Sequence, residues 1–287
     1  MQTPFDDIYG NVFETVEVTF TPRLQTIVSW RLKKSVPPGP GLFVVQYSRY
    51  NEPWISVTDP IDDNQATVDV FHLASPDQEA FKWRVVYMIN GKEYPSDEII
   101  GHFKATKRDL GLLNTIAHRE CLTFDRYSGT PGLLLKARTS GMPCPRCTDY
   151  GLETSSRSSC PVCYGTGHAG GFYQGKPWKL MFGGAPNTTK MTHPTLGSIE
   201  SKNAVVVRAL NENAVEPGDI WIDSTTQERW RFSEISPEIV FKGFVITVKM
   251  TLSRVQFSEA HPLNDPDTSE KLQEPKFDTG GGLWETL

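Results

Sequence analysis

The sequence predicts a mostly β protein, and three observations predict it. Apolar and polar residues alternate with period two in many short segments near both ends of the chain. Gly and Pro, 23 and 21 of the 287 residues, fall between those segments as turn punctuation. One stretch alone, residues 106–124, has the spacing of an amphipathic helix.

The first strands are Glu14-Thr-Val-Glu-Val-Thr-Phe20, Gln25-Thr-Ile-Val-Ser-Trp-Arg-Leu32 and Leu42-Phe-Val-Val-Gln-Tyr-Ser48, with Pro37-Pro-Gly-Pro-Gly41 as a loop. Trp54-Ile-Ser-Val57, Ala66-Thr-Val-Asp-Val-Phe71 and Phe81-Lys-Trp-Arg-Val-Val-Tyr-Met88 continue the series, and Asn90-Gly91 marks a tight hairpin turn. Short strands at this spacing predict an antiparallel sandwich over residues 11–103. Residues 104–126 form a linker helix. Leu110, Leu113, Ile116, Ala117 and Cys121 lie on one face, and Thr106 with Asp109 offers a capping box at its start. Residues 127–190, rich in Gly, Ser, Thr and Pro, hold too few apolar residues for a core of their own. Strand signals return in Ala204-Val-Val-Val-Arg-Ala209, Asp219-Ile-Trp-Ile-Asp223, Glu228-Arg-Trp-Arg-Phe232, Ile235 to Val240 and Phe244-Val-Ile-Thr-Val-Lys-Met-Thr-Leu252. Pro217-Gly218 and Lys242-Gly243 are the turns of this small barrel-like β domain, residues 191–262. Residues 263–287 are polar and read as an extended arm ending near Leu283-Trp284.

Residues 127–190 are held by something other than apolar packing, and their cysteines supply it. Cys144, Cys147, Cys160 and Cys163 follow the pattern C-x2-C-x12-C-x2-C. Each C-x-x-C offers two thiolates to one ion, and Gly165 and Gly167 after the second pair permit the turn that aims backbone N–H groups at the sulfurs. Four soft thiolates predict one structural Zn²⁺ per chain. A closed tetrahedral shell leaves no position for water or substrate. The ion stabilises such a segment by on the order of 10 kcal/mol. Iron is the other metal that four thiolates serve, and nothing flanking the pairs favours it. A redox C-x-x-C stands where a strand meets a helix and does not come in two matched copies. The fifth cysteine, Cys121, reads as an inert thiol inside the helix, and His168 as a polar loop residue.

Charge is unevenly spread. Residues 104–190 carry 12 Lys/Arg against 5 Asp/Glu, or +7. Residues 1–103 carry 8 against 14, and residues 191–287 carry 9 against 15, each −6, which sums to the net −5. A basic middle between acidic ends argues against a free nucleic-acid binder and suits a subunit whose centre faces an acidic neighbour. No apolar run is long enough to span a bilayer as a helix, and the acidic start has no apolar core of a secretory signal, so folding in a cytoplasm is expected. No P-loop, nucleophile elbow, H-E-x-x-H or dinucleotide fingerprint occurs, the six His are scattered, and Asp62-Asp63 reads as a solvated turn. An enzyme is not expected.

Three resemblances add to this reading. Ile27-Val-Ser-Trp30, Val44-Val-Gln-Tyr-Ser48, Trp54, Phe81-Lys-Trp-Arg-Val85 and Tyr94-Pro-Ser96 resemble a fibronectin type III domain, which implies an Ig-like sandwich serving as spacer or interaction module. Cys160-Pro-Val-Cys-Tyr-Gly-Thr-Gly167 is similar to one cysteine knuckle of the J-protein co-chaperones. Cys147-Thr-Asp-Tyr-Gly151 departs from that repeat and no His-Pro-Asp signature occurs, so chaperone activity does not carry over. Val215-Glu-Pro-Gly-Asp-Ile-Trp-Ile-Asp223, Glu228-Arg-Trp-Arg-Phe232, Lys242-Gly-Phe-Val-Ile246 and Thr251-Leu-Ser-Arg-Val255 resemble the head-closure and neck proteins of tailed bacteriophages. That resemblance implies a virion structural protein of the head-to-tail connector, or of a neighbouring tail or baseplate ring. It would be assembled in the host cytoplasm from copies of itself and other virion proteins, without membrane or sequence-specific nucleic acid. The alternative of another class is a cytoplasmic zinc-ribbon adaptor for nucleic acid or a nucleic-acid enzyme, with Arg146 and Arg157 between the ligands.

Overall fold

The computed structural model describes residues 12–33, 36, 39, 41–49, 52–69, 73–74, 81–101, 103–104, 106–147, 160, 162–183, 189–193, 197–201 and 204–255. The chain is mostly β with one α-helix among those residues. The arm at 263–287 and the whole linker between the two cysteine pairs, residues 148–159 with Arg157, lie outside them.

The strands of the first part are β1 (Phe13–Phe20), β2 (Thr26–Leu32), β3 (Leu42–Arg49), β4 (Ile55–Ser56), β5 (Gln65–Val68), β6 (Leu73–Ala74), β7 (Phe81–Ile89), β8 (Lys92–Pro95), β9 (Ile99–Ile100) and β10 (Phe103–Lys104). They form a β1-β2-β5 sheet and a β4-β3-β7-β8 sheet with β9 beside β7, all pairs antiparallel. The short β6 and β10 pair in parallel. One core lies between the two larger sheets. Val28 and Trp30 of β2 and Val68 of β5 meet Phe43 and Val45 of β3 and Trp83, Val85 and Tyr87 of β7. These residues alternate along their strands because successive side chains point to opposite faces. The β7–β8 hairpin turns at Asn90-Gly91, both with positive φ, and the mirror-image turn this makes matches the twist of the strands.

Helix α1 (Lys107–Leu122) follows, and a π-helical turn (Thr123–Ser128) continues it. Thr106 accepts from the Asp109 N–H, and the Asp109 carboxylate accepts in return from the Thr106 N–H. Lys242 also bonds Asp109 at 2.7 Å, and these donors hold its carboxyl down to about 2. Leu113 on the buried face packs with Phe244 and Ile246.

The last strands are β11 (Thr130–Leu135), β12 (Lys176–Phe182), β13 (Thr189–His193), β14 (Gly197–Ser201), β15 (Ala204–Leu210), β16 (Ile220–Asp223), β17 (Arg229–Phe241) and β18 (Phe244–Arg254). Six of them close a barrel in the order β11-β12-β15-β18-β17-β16, while β13 and β14 form a separate hairpin. The barrel therefore takes two strands, β11 and β12, from the stretch 127–190 that the sequence sets apart as the metal-binding region. The cysteine segment is an insertion between adjacent barrel strands. The barrel core holds Leu134, Trp178, Leu180, Val207, Trp221, Phe232, Met250 and Leu252. Trp221 lies so close to β11 that a Cβ on Gly132 would sit 2.1 Å from its ring, so only glycine fits there. The stretch 229–241 is one long strand with register shifts at Phe232/Glu234, Pro237/Ile239 and Ile239/Val240, and the shift at Pro237/Ile239 lies beside the proline that cannot donate to the ladder. It turns into β18 at Lys242-Gly243, both with positive φ.

Candidate metal centre

The four predicted cysteines converge. The ligating atoms of Cys144, Cys147, Cys160 and Cys163 all lie within 4.8 Å of one another. The Cys144 and Cys160 sulfurs are 3.6 Å apart and those of Cys163 and Cys147 3.7 Å. Both separations exclude a disulfide, whose sulfurs sit about 2.0 Å apart. They suit a tetrahedral shell, in which metal–sulfur bonds of about 2.3 Å place sulfurs about 3.8 Å from one another. The donor set therefore fits one soft cation. Cys144, Cys160 and Cys163 are buried, so the centre is shielded on most sides.

Local turns build it. The Cys147 N–H donates to the Cys144 carbonyl, and Tyr164 N–H to that of Cys160, so each pair folds into a knuckle. Cys160 receives hydrogen bonds from the Val162 and Cys163 amides, and Cys163 from those of Gly165 and Gly167. Tyr164, Gly165 and Gly167 have positive φ, which the turn requires. Gly171 is fixed by space as well: a Cβ there would meet the Cys163 carbonyl oxygen at 2.8 Å. Burial works against the Cys160 thiolate, yet the surrounding donors bring its thiol down to about 6. Burial pushes the neighbouring Cys163 thiol up to about 12. Adjacent thiolates repel, and a bound cation removes that conflict.

Two residues weighed beside the ligands stay apart from them. His168 is not in the sulfur cluster, and burial lowers its basicity. Cys121 lies in α1 with Phe124 and Leu210, and burial pushes its thiol up to about 12, as expected of an inert core thiol.

A short ladder connects the centre to the barrel. Tyr173 N–H donates to Lys136, Arg138 N–H to Gly171, Ala169 N–H to Met142, and Cys144 N–H to Gly167. Isolated bridges join Ala137 to Phe172 and Pro143 to His168. Tyr164 and Phe172 pack on Leu133, Leu135, Ile220 and Ile222, covering the outer face of β11 and β16. That cover explains why Ile220 and Ile222, on the outer face of β16, are buried although the strand belongs to a single-layered barrel wall.

The base of this ladder meets the N-terminal sheets at groups that motif reading missed. Lys136 is only 1% exposed; its ammonium donates to the Gln65 side chain and to the Ala214 carbonyl. Gln65 also accepts from the Ala214 N–H at 2.8 Å and donates to Asn213 at 2.9 Å. Arg138 grips Asp62 with both terminal nitrogens, at 3.0 and 2.6 Å, and lies over the Tyr173 ring. Lys176 pairs with Asp63 at 2.8 Å. Asp63 caps its own turn through the Asn64 N–H, as turn chemistry predicts, but with Asp62 it also reaches across to the barrel. Further along the joint, Arg23 pairs with Asp125 and Glu212, and Arg31 with Glu216. A lysine directly after Leu133-Leu-Leu135 was the available signal, since an apolar strand extended by one charged residue marks a charge carried inward. Comparison with known protein families and with curated protein sequences finds no match.

Proposed function

We propose that the chain is a structural subunit of a tailed-phage virion, in the neck or head-to-tail connector or an adjoining tail or baseplate ring, with Zn²⁺ as its structural staple. The observation that carries the reading is where the resembling residues fall. Val215 to Asp223, Glu228 to Phe232, Lys242 to Ile246 and Thr251 to Val255 lie on successive strands and turns of one closed barrel. The neck-protein resemblance thus covers a contiguous sheet surface. The two antiparallel sheets of the first part, with Trp30 and Trp83 in one core, support a fibronectin III-like, Ig-like module attached to that barrel.

Zinc is the metal favoured by four thiolates in a tetrahedral spacing. When bound it supplies no Lewis-acid chemistry, because the sulfurs fill its shell. The chain's own residues position the sulfurs and donate amides to them. Ring assembly is supported by the charge pattern, since the +7 centre of one copy complements the −6 ends of the next. Electron microscopy and mass photometry of the full-length protein test this reading. Closed rings, or entry into a larger particle, are expected. A protein that stays monomeric with virion partners present overturns it.

A further inference from the structure

We infer that the metal centre locks the joint between the N-terminal sheets and the barrel, so that metal occupancy sets how firmly the two are held together. This rests on the cysteine cluster holding a metal, and not on the virion reading.

The connection is short and continuous. Cys144 and Cys163 stand at the far end of the ladder, and Arg138 and Lys136 stand at its base. Arg138, on one strand of that ladder, is held by the other. Its own N–H donates to Gly171, its side chain donates to the Phe172 carbonyl at 3.3 Å, and its guanidinium lies 4.6 Å from the Tyr173 ring centroid. Only while residues 168–173 run beside residues 136–143 is the guanidinium aimed at Asp62 of the N-terminal sheets. Among the described residues, the far end of the ladder is closed by short backbone turns and by the cysteines. Its buried cluster is the cysteines with Val162 packed against them. Without a cation nothing bridges the four sulfurs, and the strand carrying Gly171, Phe172 and Tyr173 loses its tether. Phe172 and Tyr164 then lift from the outer face of β11 and β16, and Arg138 loses the floor that orients it. Next to Arg138, Lys136, Gln65 and Asn213 form the buried part of the same joint, and Ala214 lies at its edge.

The Ala214 amide reports on the joint directly, because its partner is the Gln65 side chain across the interface. Hydrogen exchange is to be followed in the full-length protein, with bound metal quantified by elemental analysis, before and after chelation under reducing conditions. The expected result is Ala214 exchange faster by about tenfold in the metal-free protein, while Val248 and Met250 in the barrel stay protected. If the barrel amides open as well, Arg138→Ala decides. It keeps all four cysteines and its metal, and its Ala214 exchange is expected to rise several-fold. Protein that never takes up metal sinks the metal reading itself. Protein that binds metal, with Ala214 exchange unmoved by chelation or by Arg138→Ala, overturns the lock alone.

Discussion

Lys136 and Asp219 show how much of the joint rests on single buried charges. Burial lowers the basicity of Lys136 and raises the Asp219 carboxyl to about 6, against the pull of Lys136 and of the Glu216 and Ala137 amides. Lys136→Ala removes the ammonium donor to Gln65 and to the Ala214 carbonyl and should destabilise the chain by about 1–3 kcal/mol in denaturant unfolding. Asp219 has the opposite sign from a salt-bridged surface acid. Its folded value of about 6 lies above the unfolded value of 3.8, so the folded state binds the extra proton between them. Stability contributed by this group is present below pH 4 and is lost as pH rises towards 6. Thermal unfolding of wild type and Asp219→Asn across that range should therefore converge at low pH and diverge, to the disadvantage of wild type, as pH rises. The cysteines make a separate prediction. Elemental analysis should find one zinc per chain, kept by Cys121→Ser and lost by Cys160→Ser. Less than about half an equivalent in protein never exposed to chelator would refute the zinc assignment.

Among the elements, α1 was the most legible from sequence because its signals are local. The Leu110, Leu113, Ile116, Ala117 spacing and the Thr106–Asp109 cap are all within a few residues of one another, and both are present. Leu113 is fully buried against Phe244 and Ile246, so Leu113→Ala should cost about 2–5 kcal/mol, whereas Thr106→Ala should cost about 1 kcal/mol by loss of the cap. In the N-terminal sheets Trp30 packs at 5.2 Å from Phe43, and Trp30→Ala should cost about 3–5 kcal/mol. Equilibrium denaturation of the three variants orders these effects. Strands β11 and β12 were not legible as barrel strands. Leu133-Leu-Leu135 is buried on both faces, inside by the barrel core and outside by Tyr164 and Phe172, so it lacks the alternation that marks a half-exposed strand.

At the scale of the whole molecule, the N-terminal sheets have a core of their own, and their contact with the barrel joins polar and charged pairs to one apolar contact, Phe20 of β1 stacked on Phe244 of β18. A fragment of residues 11–103 should accordingly fold alone, with β circular dichroism and cooperative unfolding; a soluble fragment without β signal would count against an independent module. The outer pairs of the joint, such as Arg23 with Asp125, are partly exposed and should weaken with salt, while the buried Gln65–Lys136 contact should not. Assembly gives the remaining prediction. Deleting residues 275–287, which carry Leu283-Trp284, should leave fold and metal intact and reduce incorporation into a ring or particle. Equal incorporation of the truncated and full chains, measured by electron microscopy, would remove the arm from the account.

Four features were determined by the sequence alone: the β class, the capped helix, the tight turns at Asn90-Gly91 and Lys242-Gly243, and the four cysteines as one cluster. Each depends on residues that are neighbours in the chain, or on two short pairs whose chemistry admits few partners. Tertiary structure alone decided that residues 130–135 and 176–182 close the barrel around Trp178 and Trp221, and that the cysteine segment is an insertion lying over its outer face. It alone decided that Asp62, Asp63 and Gln65 face Arg138, Lys176 and Lys136 across a joint. Pairings between distant segments leave no period in the local sequence, because a strand's hydrogen-bonding groups are the same whichever strand they meet, and a lysine shows its burial only when the elements around it are in place.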